Sequence, residues 1–166
     1  RMKNKSFLFI SVALFVLSLA LPAFSSIAYG TASTKQHWQG GEVFIFGVFE
    51  LVMGFFGLRA GMPLGEAIPL LTWFANPLLG LAWLGILAGS RTSTRVASTF
   101  AILFCALFLS AKSLPTGSES VHFIRTDIGY WVWFASILVA FAASFVIEQS
   151  SPKREPRPER ERWNPY

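Results

Sequence analysis

The stretch IPLLTWFANPLLGLAWLGILAGSRTSTR, residues 68–95, decides how the chain is read. Its apolar part, Ile68 to Ala88, is about twenty residues long, enough to cross the hydrocarbon core of a bilayer as a helix. The run stops at Gly89 and Ser90, and Arg91 and Arg95 follow at once. Short loops rich in Lys and Arg stay on the cytoplasmic side, so this junction points the helix from outside to inside.

Composition agrees with that reading. The 166 residues are 53% hydrophobic and 14% charged, a balance that a soluble domain of this size has no interior to hide. Residues 1–150 are therefore expected to form one transmembrane bundle, with 151–166 a basic, disordered tail whose charges and prolines cannot build a core. The net charge of +5 matters less than its placement. Cations gather at the two termini and at Arg91 and Arg95, a pattern that suits anionic lipid head groups and does not suit nucleic acid. Cys105 is the one cysteine, which excludes an internal disulfide and a Cys-built metal cage.

Working outward, three further runs are predicted to span: residues 7–28, 96–114 and 128–147. In the first, the apolar character continues through Ile27 and Ala28, which favours a retained helix over a cleaved signal peptide with Ala23 and Ser25 before the cut. Residues 29–42 read as a polar loop with Trp38 at interfacial depth. Thr92 or Ser93 is placed to cap the third span and Asp127 the fourth, with Tyr130, Trp131 and Trp133 at the outer surface. Thr116 to Thr126 reads as an outer loop. Pro77 lies inside the pivotal helix, frees the carbonyl of Trp73 and is expected to kink the helix near its outer end, with Thr72 or Asn76 satisfying the freed group.

Val43 to Leu58 is short, carries Glu50 near its middle and contains Gly47, Gly54 and Gly57. Charge distribution arbitrates whether it crosses. Without it there are four spans, both termini are inside, and basic residues 1, 3, 5, 91, 95, 153, 154, 157, 160 and 162 are cytoplasmic, against Lys35, Arg59, Lys112 and Arg125 outside. A fifth crossing destroys that asymmetry. The expected fold is all-α: an integral membrane four-helix bundle with residues 43–58 as an extra interfacial or re-entrant helix.

Helices in lipid associate through close packing at small residues. Ala75, Ala82, Gly85 and Gly89 on the pivotal helix, Ala97, Ala101 and Cys105 on the third span, and Ser136, Ala140 and Ser144 on the fourth are the expected contacts. Glu50 and Asn76 are the candidate functional polar groups, because an ionisable side chain or a polar group beside a broken helix can line a path through a bundle. His37 and His122, with Glu42, Glu119 and Asp127, read as solvated loop residues. No spacing among them points to a metal site, and no Ser-His-Asp arrangement or other cofactor motif is evident.

Two segments, Trp73-Phe-Ala-Asn-Pro77 and Gly129-Tyr-Trp-Val-Trp-Phe-Ala-Ser136, resemble parts of small uncharacterised bacterial inner-membrane proteins with four transmembrane helices. The resemblance implies a four-span bundle and carries over no catalytic residue. Chain economy then favours a non-enzymatic accessory or scaffold subunit that packs against another membrane protein or a second copy. The alternatives are a small transporter or channel component using Glu50 and the Asn76-Pro77 kink and, more remotely, an immunity protein against a pore-forming toxin.

Overall fold

The computed structural model describes residues 2–28, 35–55, 71–110, 113–116 and 119–147, and these are mostly helical. In chain order come α1 (Met2–Ala20), β1 (Pro22–Ala28), β2 (Lys35–Gln39), α2 (Gly40–Phe55), α3 (Ala75–Ala88), α4 (Arg91–Phe108), β3 (Ser113–Thr116), β4 (Glu119–Thr126) and α5 (Ile128–Val146). The strands make one antiparallel sheet in the order β2-β1-β4-β3. Connectivity sets the directions. Helices α1 and α4 run into the sheet, and α3 and α5 run away from it. The start of α1, the α3–α4 turn and the end of α5 therefore share the far end of the bundle.

The helical content agrees with the all-α expectation, and the small sheet is an addition to it. The helix predicted over 7–28 ends at Ala20, because Pro22 has no N–H to donate and its ring would meet the carbonyl of Ser18. Beyond it Phe24 to Ala28 pair with β4. The third predicted span, 96–114, begins instead at Arg91 and ends at Phe108, while Ser113 and Leu114 join β3. Ser90 caps it, its Oγ accepting from the N–H of Ser93 at 3.3 Å, in place of Thr92 or Ser93. The expected outer loop is largely β4, and the expected polar loop supplies β2 and the first turn of α2. That helix starts at Gly40 because Glu42 reaches back, its Oε2 accepting from the N–H of Gln39 at 3.0 Å.

Among the described residues, Leu71–Ala88 and Ile128–Val146 are long and apolar enough to cross a membrane. Helix α4 has the length but opens on Arg91 to Arg95, with two cations and three hydroxyls. Residues 56–70, with Arg59, Glu66 and Pro69, lie outside the described residues, as do Lys112 and residues 148–166.

The bundle is inverted relative to a soluble core. Most of its buried helical positions are small or hydroxylated: Ser11, Ala82, Thr94, Ser98, Ala101, Ser136 and Ala140 have no exposed surface, with Leu79, Ile86, Phe108 and Ile137 the large apolar exceptions. The large apolar side chains face out, with Phe9 75% and Leu87 65% exposed. Short side chains bring backbones close enough for hydroxyls to reach across. Ser11 Oγ donates to the carbonyl of Ser136 at 2.8 Å and accepts from Trp83 Nε1 at 2.8 Å, joining α1, α3 and α5. Helix α3 ends at Gly89, whose φ of +70° lets its N–H reach the carbonyl of Ile86 while Ser90 N–H reaches that of Gly85.

Candidate functional site

Two places gather polar chemistry, both at the sheet end of the bundle. The first is the seam between sheet and α5. Antiparallel register puts Ser25 of β1 between His37 of β2 and Arg125 of β4. The chain then turns into α5 through Asp127, whose backbone N–H donates to the carbonyl of Ala23 at 2.8 Å. Asp127 stands at the cap position of α5, yet its carboxylate makes no cap bond and turns to the sheet instead. There it accepts from the Ser25 hydroxyl on Oδ2 and from Arg125 Nε on Oδ1 at 3.1 Å. Ser25 Oγ also lies 3.0 Å from His37 Nδ1.

This cluster is the Ser-His-Asp grouping that the sequence did not show, because its members are far apart in the chain. Its geometry differs from that of a nucleophile triad. Ser25 gives its proton to Asp127, so its oxygen must accept from Nδ1–H of His37, the reverse of the transfer that activates a serine. Ser25 is also fully buried. The cluster is a clamp. The Asp127 side chain is 9% exposed, and that burial pushes its carboxyl up. The Ser25 hydrogen bond and the bond and charge of Arg125, helped by His37, outweigh it and hold the group below the ordinary carboxylate value.

The second place is the Pro77 kink. A helical turn at 71–73 is separated from α3 by a turn at Phe74, and Pro77 leaves the carbonyl of Trp73 without a backbone partner. Asn76 supplies one: its Nδ2 donates to that carbonyl at 3.2 Å, and its Oδ1 accepts from Trp133 Nε1 at 3.0 Å. Trp73 Nε1 in turn donates to the carbonyl of Phe44 in α2 at 3.1 Å. The kink thereby ties α2, α3 and α5 together.

Below the sheet these elements line a partly open cavity of about 100 Å³, walled by α1, β1, α2, the 71–73 turn, the end of α4 and the start of α5. Aromatic rings dominate its surroundings. Phe24 stacks on Trp38 at 5.9 Å and lies 5.8 Å from Phe108, which stacks on Tyr130 at 5.4 Å, a column running from the sheet into the bundle. Tyr130, expected at the outer surface, points inward and donates to the carbonyl of Cys105 at 3.0 Å, whereas Trp131 is exposed. Gly129 makes this approach possible, since a Cβ there would come within 2.7 Å of the carbonyl oxygen of Pro22.

The other residues singled out from sequence fall as follows. Glu50 lies on α2, and its side chain is outside the described residues. Ala75, Ala82 and Gly85 of α3, Ala97, Ala101 and Cys105 of α4, and Ser136, Ala140 and Ser144 of α5 are buried at helix contacts. Gly89 differs: it is exposed and serves as the stop of α3, not as a contact. The Arg95 guanidinium sits over the ring of Phe145, 4.5 Å from its centroid, and Arg91 Nε and Arg95 Nε and Nη2 are buried with no hydrogen-bond partner. Among the described residues no three of His, Cys, Asp and Glu come together as metal ligands. Compared with protein-family models, curated proteins and solved structures, the chain finds no match.

Proposed function

We propose that the chain is a four-span integral membrane protein without enzymatic activity, an accessory or scaffold subunit that packs against another membrane protein or a second copy. The observation that carries this reading is the inverted polarity of the bundle. Small and hydroxylated residues make up most of its interior, beside Leu79, Ile86, Phe108 and Ile137, while Phe9, Leu84, Leu87, Phe100 and Phe145 face outward. Water would oppose that arrangement strongly, and lipid or a neighbouring helix would not. The far end of the bundle, holding both ends of the described helical frame and the Arg91–Arg95 turn, is the cytoplasmic one in this reading, facing anionic head groups. The sheet is on the outer side, with residues 40–55 as the helix beneath it. An inner-membrane location follows from the resemblance to bacterial four-span proteins.

Conduction through Glu50 and the Asn76-Pro77 kink draws less support, because both ends of the Asn76 amide are already engaged within the protein. Purification in mild detergent followed by light scattering tests the accessory role. The expected result is a complex with more protein mass than one chain; a stable lone monomer refutes it.

A further inference from the structure

The cavity under the sheet is unusual in what its wall offers. Every described polar side chain on it is spent within the protein. Ser18 Oγ donates to the carbonyl of Phe15 at 2.6 Å, Asn76 and Trp133 bond each other, Tyr130 bonds the carbonyl of Cys105, and Thr72 is also engaged. No charged residue lines it. Water needs about two to four polar partners to reside in a cavity, and an apolar cavity of about 150 Å³ stays dry and takes up small hydrocarbons. A wall made mostly of rings, with no charge and with each described polar side chain already holding a partner, favours an occupant with no polar group of its own.

We propose that this cavity holds the end of an acyl chain from a neighbouring phospholipid. The inference rests on the four-span reading, which places the outer faces of α1, α2 and α5 against lipid and so makes acyl chains the abundant apolar solute beside the cavity. A head group is the poorer occupant, since its phosphate would meet no cation on the described lining. Helix α2 is the wall that holds the chain in place: Gly47 lies against the Trp73 ring, and Phe44 packs on Trp73 with centroids 5.9 Å apart.

Two substitutions fill the space from different walls, Val43→Phe on α2 and Ala23→Leu on β1. Leu81→Phe, on the exposed face of α3, is a control of the same kind that leaves the cavity alone. Each protein is reconstituted in nanodiscs of dioleoylphosphatidylcholine and released in a native mass spectrometer. The native chain and Leu81→Phe are expected to keep a bound dioleoylphosphatidylcholine under activation that strips the annular lipids. Val43→Phe and Ala23→Leu, shown folded by circular dichroism, are expected to lose it. A native chain that emerges bare overturns the proposal, as does an equal adduct on both filled variants. Alkaline carbonate extraction separates the two levels. A chain washed off membranes fails the four-span reading, whereas one that resists extraction yet carries no lipid fails the cavity proposal alone.

Discussion

Asn76→Ala removes two hydrogen bonds at one stroke, and the structure says what each leaves behind. The indole N–H of Trp133 loses its acceptor at 3.0 Å, and the carbonyl of Trp73, already without a backbone donor because of Pro77, loses its donor at 3.2 Å. An orphaned buried polar group costs about 1–3 kcal/mol. Asn76 and both tryptophans are half-buried, so the lower part of that range applies to each, and the expected loss is about 2–3 kcal/mol. The cost should also be divisible. In a Pro77→Ala background the restored N–H can serve the Trp73 carbonyl, so Asn76→Ala should cost about 1 kcal/mol less there, a coupling in the range found for residues sharing one network. A Trp133→Phe background should remove the other half. Unfolding in mixed micelles with increasing dodecyl sulfate, followed by far-ultraviolet circular dichroism, reads all the free energies. Equal costs of Asn76→Ala in the native and Pro77→Ala backgrounds would refute the claim that this amide patches a proline break.

Four other perturbations have defined outcomes. Gly85→Ala puts a Cβ 2.6 Å from Thr94 Oγ1 and 2.9 Å from Thr94 N, so α3 and α4 must part, at about 1–3 kcal/mol in the same unfolding assay. Gly89→Ala meets nothing within 4 Å but must hold φ at +70°, so it should cost about 1–2 kcal/mol and leave the α3–α4 contact intact by cross-linking. Ser11→Ala leaves the Trp83 N–H without an acceptor and should cost about 1–3 kcal/mol, of which Trp83→Phe in the same chain recovers part. Asp127 titrates lower in the folded chain than its ordinary value of 3.8, so its stabilising effect is full above that value and is lost as pH falls through the lower folded one. Protection factors of amides in β1 and β4, taken relative to the slower intrinsic exchange in acid, should therefore fall below about pH 4, and Arg125→Leu, by removing the cation and raising the folded value toward the ordinary one, should make that fall smaller.

What was legible in the sequence was apolar length, and what was not was where an apolar run changes conformation. The run expected over 128–147 forms the helix Ile128–Val146, and its ends are marked in the sequence by Asp127 before and Glu148 after. Pro22 was the available signal that α1 stops early. The residues after it do not decide between strand and helix, because Phe24, Ile27 and Ala28 suit a strand between two others as well as they suit a lipid-facing helix. Strand β4 carries Val121, Phe123 and Ile124 among polar neighbours, a β-rich cluster whose strand is completed only by pairing with the distant β1. The Asn76–Trp73 bond could be anticipated because it is local and follows from the missing N–H of proline. The Ser25–Asp127 bond could not, since it depends on a register between strands about a hundred residues apart.

The same distinction bears on function. A polar group inside a helical bundle either works on something that passes or holds the helices in place, and its hydrogen bonds tell which. Ser11, Asn76, Trp83, Ser98, Tyr130 and Ser136 each bond within the bundle, and four of those bonds cross from one helix to another. An ion moving through would have to break them, at a cost repeated at each level of the bundle. The unspent donors are elsewhere: Arg91 and Arg95 at the far end, and the Ser144 hydroxyl one residue from the Phe145 ring that Arg95 covers. Among the described residues these interior polar groups bond within the bundle and the unspent donors sit toward its far end, which is the support for the proposed accessory role. The apolar outer face of its helices is then the surface on which a partner would be selected, and substitutions there, not in the core, should separate assembly from folding.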